Sequence, residues 1–200
     1  MRSVEQTIHR LLSSGFNPGG RKDPYRGFIY TSFQERATKI SHGNVGKLAA
    51  KAGDATLARI CARIAGDEAR HEKAYTQFSQ EILDRDPNGF VMAFRSMMEH
   101  QVIMPAELMD DGVSDNLFAD FARVASGLGV YTGHHYAEIM AHLVETWKID
   151  ELGGLAPEAE EAQQFLMKLP GRYAKLAARG GKKLAKMDKV GFSWIGGRVC

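Results

Sequence analysis

The chain has 200 residues, 44% of them hydrophobic and 25% charged, with a net charge of +2. These values describe a soluble globular domain long enough to bury a real core. They exclude a membrane span, because no run approaches the ~20 apolar residues that one needs, and the opening MRSVEQTIHR shows neither an apolar signal region nor an acid-free, basic organelle presequence.

The hydrophobic spacing predicts helix nearly throughout. Val4, Ile8, Leu11 and Leu12 mark a short first helix that stops at Gly15, with Pro18 and Gly20 beyond it. Asp23 and Pro24 open a long helix that runs to about Lys51; Gly53 breaks it, and Asp54 caps the next, over about residues 55–84. Asp86 and Pro87 start another, to about residue 103, with Pro105 after it. Further helices fit 115–126, 132–148 and 157–178, set apart by Gly112, Gly127, Gly129, Gly153 and Gly154. No strand alternation and no internal repeat is visible. From Gly180 on the chain is rich in Gly and Lys, so the expected division is a folded part over 1–179 and a loose basic segment over 180–200.

Charge is unevenly spread. Residues 172–189 hold seven Lys or Arg against one acid, Asp188, an excess of +6 that leaves the remainder at about −4. The excess suits an acidic partner, and equally a solvated helix end. The two cysteines, Cys61 within a helix and Cys200 at the end, imply no disulfide framework and fit a reducing compartment.

The chemistry concentrates in DEARHE, residues 67–72. Glu68 and His71 stand three apart and project from one face of a helix. The apolar stripe of that helix is Leu57, Ile60, Cys61, Ile64, Tyr75, Phe78 and Ile82; at ~100° per residue, Glu68 and His71 fall in the middle of it. An unpaired carboxylate buried there is costly, so a metal, a cation or a proton is required. On the preceding helix Phe28, Thr31, Glu35, Thr38, His42 and Val45 share a face. Glu35 lies 18 residues before Gly53 and Glu68 15 after it, so an antiparallel hairpin brings the two acids to similar height. Glu35, Glu68 and His71 are expected to converge. Carboxylates with a single imidazole suit iron or manganese better than zinc or copper.

Other acid and imidazole pairs read differently. Glu138, His142 and Glu145 lie opposite the stripe of Tyr136, Ile139, Met140, Leu143, Val144 and Trp147 and are read as facing solvent, as are Glu5 and His9. Met92, Met97, Met98, Met104 and Met109 read as adaptable packing. A two-metal site in a helical bundle takes the Glu-x-x-His pair twice, and the chain contains it once.

The strings YRGFIYTSFQERATKISHGN (25–44) and IAGDEARHEKAYT (64–76), continued by DNLFADFARVASGLGVYTGHHYAEI, VETWKIDELGGL and FSWI, resemble the soluble acyl-acyl-carrier-protein desaturases of plastids. The likeness runs over essentially the whole chain. It implies an all-α, ferritin-like bundle with a di-iron centre, to which two helices give one Glu each and two give Glu-x-x-His. By match, Glu35 is a single Glu and Glu68 with His71 a pair, Glu68 bridging both irons. The resemblance puts the helices with the remaining ligands before Met1, since MRSVEQTIHRLLSSG is similar to an internal stretch of the family, and the bundle is then incomplete in this chain.

The same resemblance matches Thr38 to an active-site threonine on the oxygen-binding side and Asp67 to an acid beside the metal histidines. It matches Pro18, Gly27, Phe28, Tyr30 and Thr31 to the lining of an acyl channel, with ordinary packing the competing role for Tyr30. Lys39 departs from the pattern, which has an apolar residue there, but it lies off the metal face. The implied chemistry uses two Fe2+ per subunit, O2 and electrons from ferredoxin to remove hydrogens from adjacent methylene carbons, leaving a cis double bond in an acyl chain on acyl-carrier protein. Lys182, Lys183 and Lys186 would dock that acidic carrier. A homodimer in the plastid stroma, with no nucleic-acid partner, completes the implication. Two other readings stay open: a non-enzymatic, truncated module that binds the carrier protein or a full-length subunit, and a pair of such chains that pools two Glu and two Glu-x-x-His.

Overall fold

The computed structural model describes residues 2–15, 23–99, 102–184 and 191–192. Seven α-helices follow one another among them: α1 (Arg2–Ser13), α2 (Pro24–Lys51), α3 (Ala55–Arg85), α4 (Pro87–Glu99), α5 (Leu117–Gly127), α6 (Gly133–Thr146) and α7 (Pro157–Leu184). Single turns of 3-10 helix stand at Pro105–Leu108 and Ile149–Glu151. None of the described helices is long and apolar enough to cross a membrane.

Local chemistry sets the ends of the long hairpin. Asp23 caps α2, its carboxylate accepting from the amides of Tyr25 and Arg26, with Pro24 at the first helical position, where its missing N–H costs nothing. Gly53 takes the left-handed conformation that ends α2, at φ 84°. Asp54 then caps α3 through the Leu57 amide. At the start of α6, Thr132 accepts from the His135 amide while the His135 imidazole accepts from the Thr132 amide, a reciprocal cap.

The core lies between α2, α4, α6 and α7. Ile29, Phe33 and Ala37 face Phe90, Phe94 and Met98, with Ile139, Met140 and Leu143 of α6 and Leu166 of α7 closing it. Trp147, 1% exposed, stands edge-on to Phe90 and Phe94 at 5.0 and 5.2 Å and donates its indole N–H to the Thr76 carbonyl of α3. The α2–α3 hairpin is fixed by facing pairs. Ser32 and Ser79 share a hydrogen bond at 3.3 Å. Nearer the turn Gly46 lets the helices close up, since a Cβ there would sit 3.2 Å from that of Cys61.

Four expectations change. The expected apolar stripe of α3 is largely open: Leu57, Ile60 and Phe78 are 40%, 50% and 51% exposed. The face that α3 buries is Cys61, Glu72, Ser79 and Leu83, one edge of the stripe, rotated by about 80° at ~100° per residue. The fourth helix ends at Glu99 rather than near 103, and the Val102 amide donates to the Tyr136 hydroxyl instead of continuing the helix. The last helix passes 178 and runs to Leu184, because glycine inside a helix weakens it without forbidding it. His142 does not simply face solvent; its Nε2 stands 3.2 Å from the Glu72 carboxylate of α3. Glu5, His9, Glu138 and Glu145 are exposed as expected.

Candidate metal centre

Residues opposite one another in the α2–α3 hairpin run in antiparallel order, so the height of Glu35 on α2 is that of the turn of α3 that holds Glu68 and His71. There the three side chains meet. His71 Nδ1 stands 3.2 Å from a carboxylate oxygen of Glu35 and 3.0 Å from one of Glu68. One ligand atom from each of the three lies within 4.8 Å of the others. The two acids are 17% exposed and the imidazole 55%. Burial, reinforced by the hydrogen bond and charge of Glu68, raises the Glu35 carboxyl above its ordinary value. The hydrogen bond to Glu68, with Glu35 behind it, raises the His71 imidazole. The nearby Glu68 thus disfavours charge on Glu35, and a cation between the two side chains relieves that.

The surroundings are apolar. Phe28 of α2 and Tyr75 and Phe78 of α3 form a cluster of three rings with centroids 6.0–6.2 Å apart, on the same side of the hairpin as Glu35, Glu68 and His71. The exposed Leu57, Ile60 and Phe78, with the half-buried Phe28 and Tyr75, make an open apolar face around a polar centre.

A family model described as fatty acid desaturase matches residues 1–196. The chain belongs to the fatty acid desaturase family. It is 49% identical over 199 residues to stearoyl-[acyl-carrier-protein] 9-desaturase 1, chloroplastic, of Arabidopsis thaliana, covering 99% of this chain and 50% of that protein. It is 50% identical over 195 residues to acyl-[acyl-carrier-protein] desaturase, chloroplastic, of Cucumis sativus, covering 98% of this chain and 49% of the relative. The chloroplastic stearoyl-[acyl-carrier-protein] 9-desaturase of Olea europaea is 49% identical over 198 residues, with 99% of this chain and 51% of the relative covered. The chain spans about half the length of the curated relatives it matches.

The donor set of this desaturase chain fits iron. Two carboxylates and one imidazole, able to come within 4.8 Å of one another, are the oxygen-rich, mixed set that a ferrous ion takes. The other sequence-predicted residues fall in several places. The Thr38 hydroxyl donates to the carbonyls of Gln34 and Glu35, one turn below it on α2. Asp67 pairs with Arg70 on its own helix. Gly27, Phe28 and Thr31 are half-buried at the start of α2, and Thr31 bonds back to the Gly27 carbonyl at 2.9 Å. Tyr30 is turned into the core, 7% exposed, with its hydroxyl donating to the Ile103 carbonyl at 3.2 Å. Lys182 and Lys183 stand on the last turn of α7, but their side chains, like Pro18 and Lys186, lie outside the described residues.

Sequence reasoning missed Glu72, the last residue of DEARHE. It is 6% exposed. One carboxylate oxygen accepts from Arg36 Nη1 at 2.5 Å and lies 3.2 Å from His142 Nε2; the other accepts from Lys39. Burial pushes the Glu72 carboxyl up, but the hydrogen bonds from His142, Lys39 and Arg36 overcome it and hold it down at about 2. So Lys39 lies off the metal face as expected, and His142 is tied to α3. The available signal was spacing: Cys61, Glu72, Ser79 and Leu83 are 11, 7 and 4 apart, a helical stripe hidden by its polar members. An apolar cavity of about 400 Å3, lined in part by Ser41, Ile103, Phe118, Phe121 and Tyr131, opens on the α6 side of α2, with Ser41 about 120° around the helix from Glu35.

Proposed function

We propose that the chain is part of an acyl-[acyl-carrier-protein] desaturase that introduces a cis double bond into a saturated acyl chain. The observation that carries this is the convergence of Glu35, Glu68 and His71 in the middle of an exposed apolar face, in a chain of the fatty acid desaturase family. Iron bound there, with O2 and electrons delivered by ferredoxin, supplies the oxidant for unactivated C–H bonds, which no side-chain base can attack. This chain's own part is binding and positioning. Glu35, Glu68 and His71 hold the metal on one side. Phe28, Tyr75 and Phe78 offer an apolar wall within two to three turns of it, and the open face excludes water once covered. The remainder of a full-length desaturase covers that face and brings the other carboxylates and imidazole. The acyl chain arrives on acyl-carrier protein, which the basic stretch with Lys182, Lys183 and Lys186 attracts; the enzyme is a homodimer of the chloroplast stroma.

Glu68→Ala in the full-length protein tests this. It should abolish formation of unsaturated product and lower the iron content after anaerobic loading, because one of the three side chains that would hold the metal is lost. Near-normal turnover with full iron would overturn the assignment.

A further inference from the structure

The metal face does little to hold itself together. His71 is more than half exposed and the apolar residues around it are open. The buried apolar anchors of α3 are Cys61 and Leu83, each 11 residues from Glu72 and so ~16 Å away along the helix. Between them the buried face of α3 carries polar contacts: the Ser32–Ser79 hydrogen bond, the Trp147 bond to the Thr76 carbonyl, and the Glu72 cluster.

We propose that Glu72 is a positioning residue for the metal centre: gripped by Arg36 and Lys39 of α2 and His142 of α6, it sets the rotation of α3 that brings Glu68 and His71 to Glu35. The inference rests on the metal reading given above. Its basis is adjacency. Glu35 and Arg36 are neighbours on α2, and His71 and Glu72 are neighbours on α3. Successive residues on a helix project ~100° apart, so fixing one of each pair against the facing helix fixes the other. The precision matters. A rotation of α3 by about 20°, at the ~5–6 Å radius of its side chains, moves a ligand atom by ~2 Å, about the length of a metal–ligand bond.

Arg36 and Lys39 come from successive turns of one helix and His142 from another, so the grip constrains height as well as rotation. A buried carboxylate stripped of one partner is strongly disfavoured, which makes the arrangement all-or-none rather than elastic. Trp147 adds a second tie between α6 and α3 one turn further on, but it ends on a backbone carbonyl. A carbonyl along the helix axis resists sliding more than turning; the Glu72 side chain resists turning.

The test uses the full-length protein with Co2+ as a spectroscopic probe, comparing wild type, Glu72→Gln, Lys39→Met and Glu68→Ala. Gln keeps the shape of Glu72 and loses its charge. Lys39→Met removes one grip while Arg36 still pairs with Glu72, so it keeps the question open should Glu72→Gln fail to fold. Glu72→Gln should weaken Co2+ binding roughly 10–100-fold, the size seen when groups that orient metal ligands are lost, and change the Co2+ absorption bands. Lys39→Met should weaken binding several-fold with the same spectral change. Wild-type affinity and spectrum in a variant with a lowered thermal midpoint would make the cluster merely structural and overturn the inference. Tight Co2+ binding retained by Glu68→Ala would instead overturn the metal reading on which it rests.

Discussion

A hydroxyl bonded within its own helix holds nothing else in place. Thr38 is in that position, with its Oγ1 donating to Gln34 and Glu35 carbonyls at 3.2 and 3.0 Å. Its side chain stands one turn from Glu35, and both of these bonds stay within α2. Removing such a bond changes stability by about 1 kcal/mol at most. Thr38→Ala in the full-length desaturase should therefore keep the iron content of wild type while altering turnover or the yield of product per O2 consumed. Loss of iron in that variant would make Thr38 a holder of the centre, contrary to its geometry here. Asp67 differs again: it faces Arg70 on the same helix and is partly exposed, so such a pair contributes little to stability by itself.

At the scale of elements, the packing of α2 and α6 against the 102–104 segment rests on tyrosines. The Tyr30 hydroxyl reaches the Ile103 carbonyl, and the Tyr136 hydroxyl accepts from the Val102 amide. Burial pushes Tyr30 up from 10.0 to about 12, and burial likewise raises Tyr131 and Tyr136. For an acid whose folded value is raised, the unfolded chain loses its proton first. Stability from these groups is thus full below about pH 10 and falls as pH rises toward 12 and beyond. Thermal midpoints followed by circular dichroism should drop over that window, with phenolate absorbance appearing together with unfolding; titration of all the phenols well below the transition would contradict it. The caps of these helices were legible in the sequence because they are local: Asp23, Gly53 and Asp54 act on neighbouring residues. The rotation of α3 was not. Periodicity showed an apolar stripe, but which edge is buried depends on the partner helices, and here the buried edge runs through Glu72 and Ser79. His142 was misread for the same reason, since its partner is a carboxylate on another helix that only the packing brings near. The convergence of Glu35, Glu68 and His71 survived that error because it depends on height along the hairpin, which counting from Gly53 supplies.

At the scale of the whole molecule, the chain presents a polar centre on an apolar face and spans about half the length of its curated relatives. Among the described residues, Glu35, Glu68 and His71 are grouped closely enough to hold a metal ion, while a pair of ions in a helical bundle draws on four helices. Those three alone would leave most coordination positions of two irons to water, so binding should be weak and exchangeable. Leu57, Ile60 and Phe78, at 40–51% exposure, should also favour self-association through that open face. Residues 1–200 expressed alone should then show a broad thermal transition, concentration-dependent association and well under two tightly held irons per chain after anaerobic loading. Supplied with O2, reduced ferredoxin and acyl-carrier substrate, they should yield no unsaturated product. Iron counted per chain and mass measured by light scattering separate the outcomes. Two irons held per pair of chains would mean that two copies pool Glu35, Glu68 and His71 across an interface. Two irons per monomer, or turnover, would mean that these three side chains suffice and that the open face needs no partner at all.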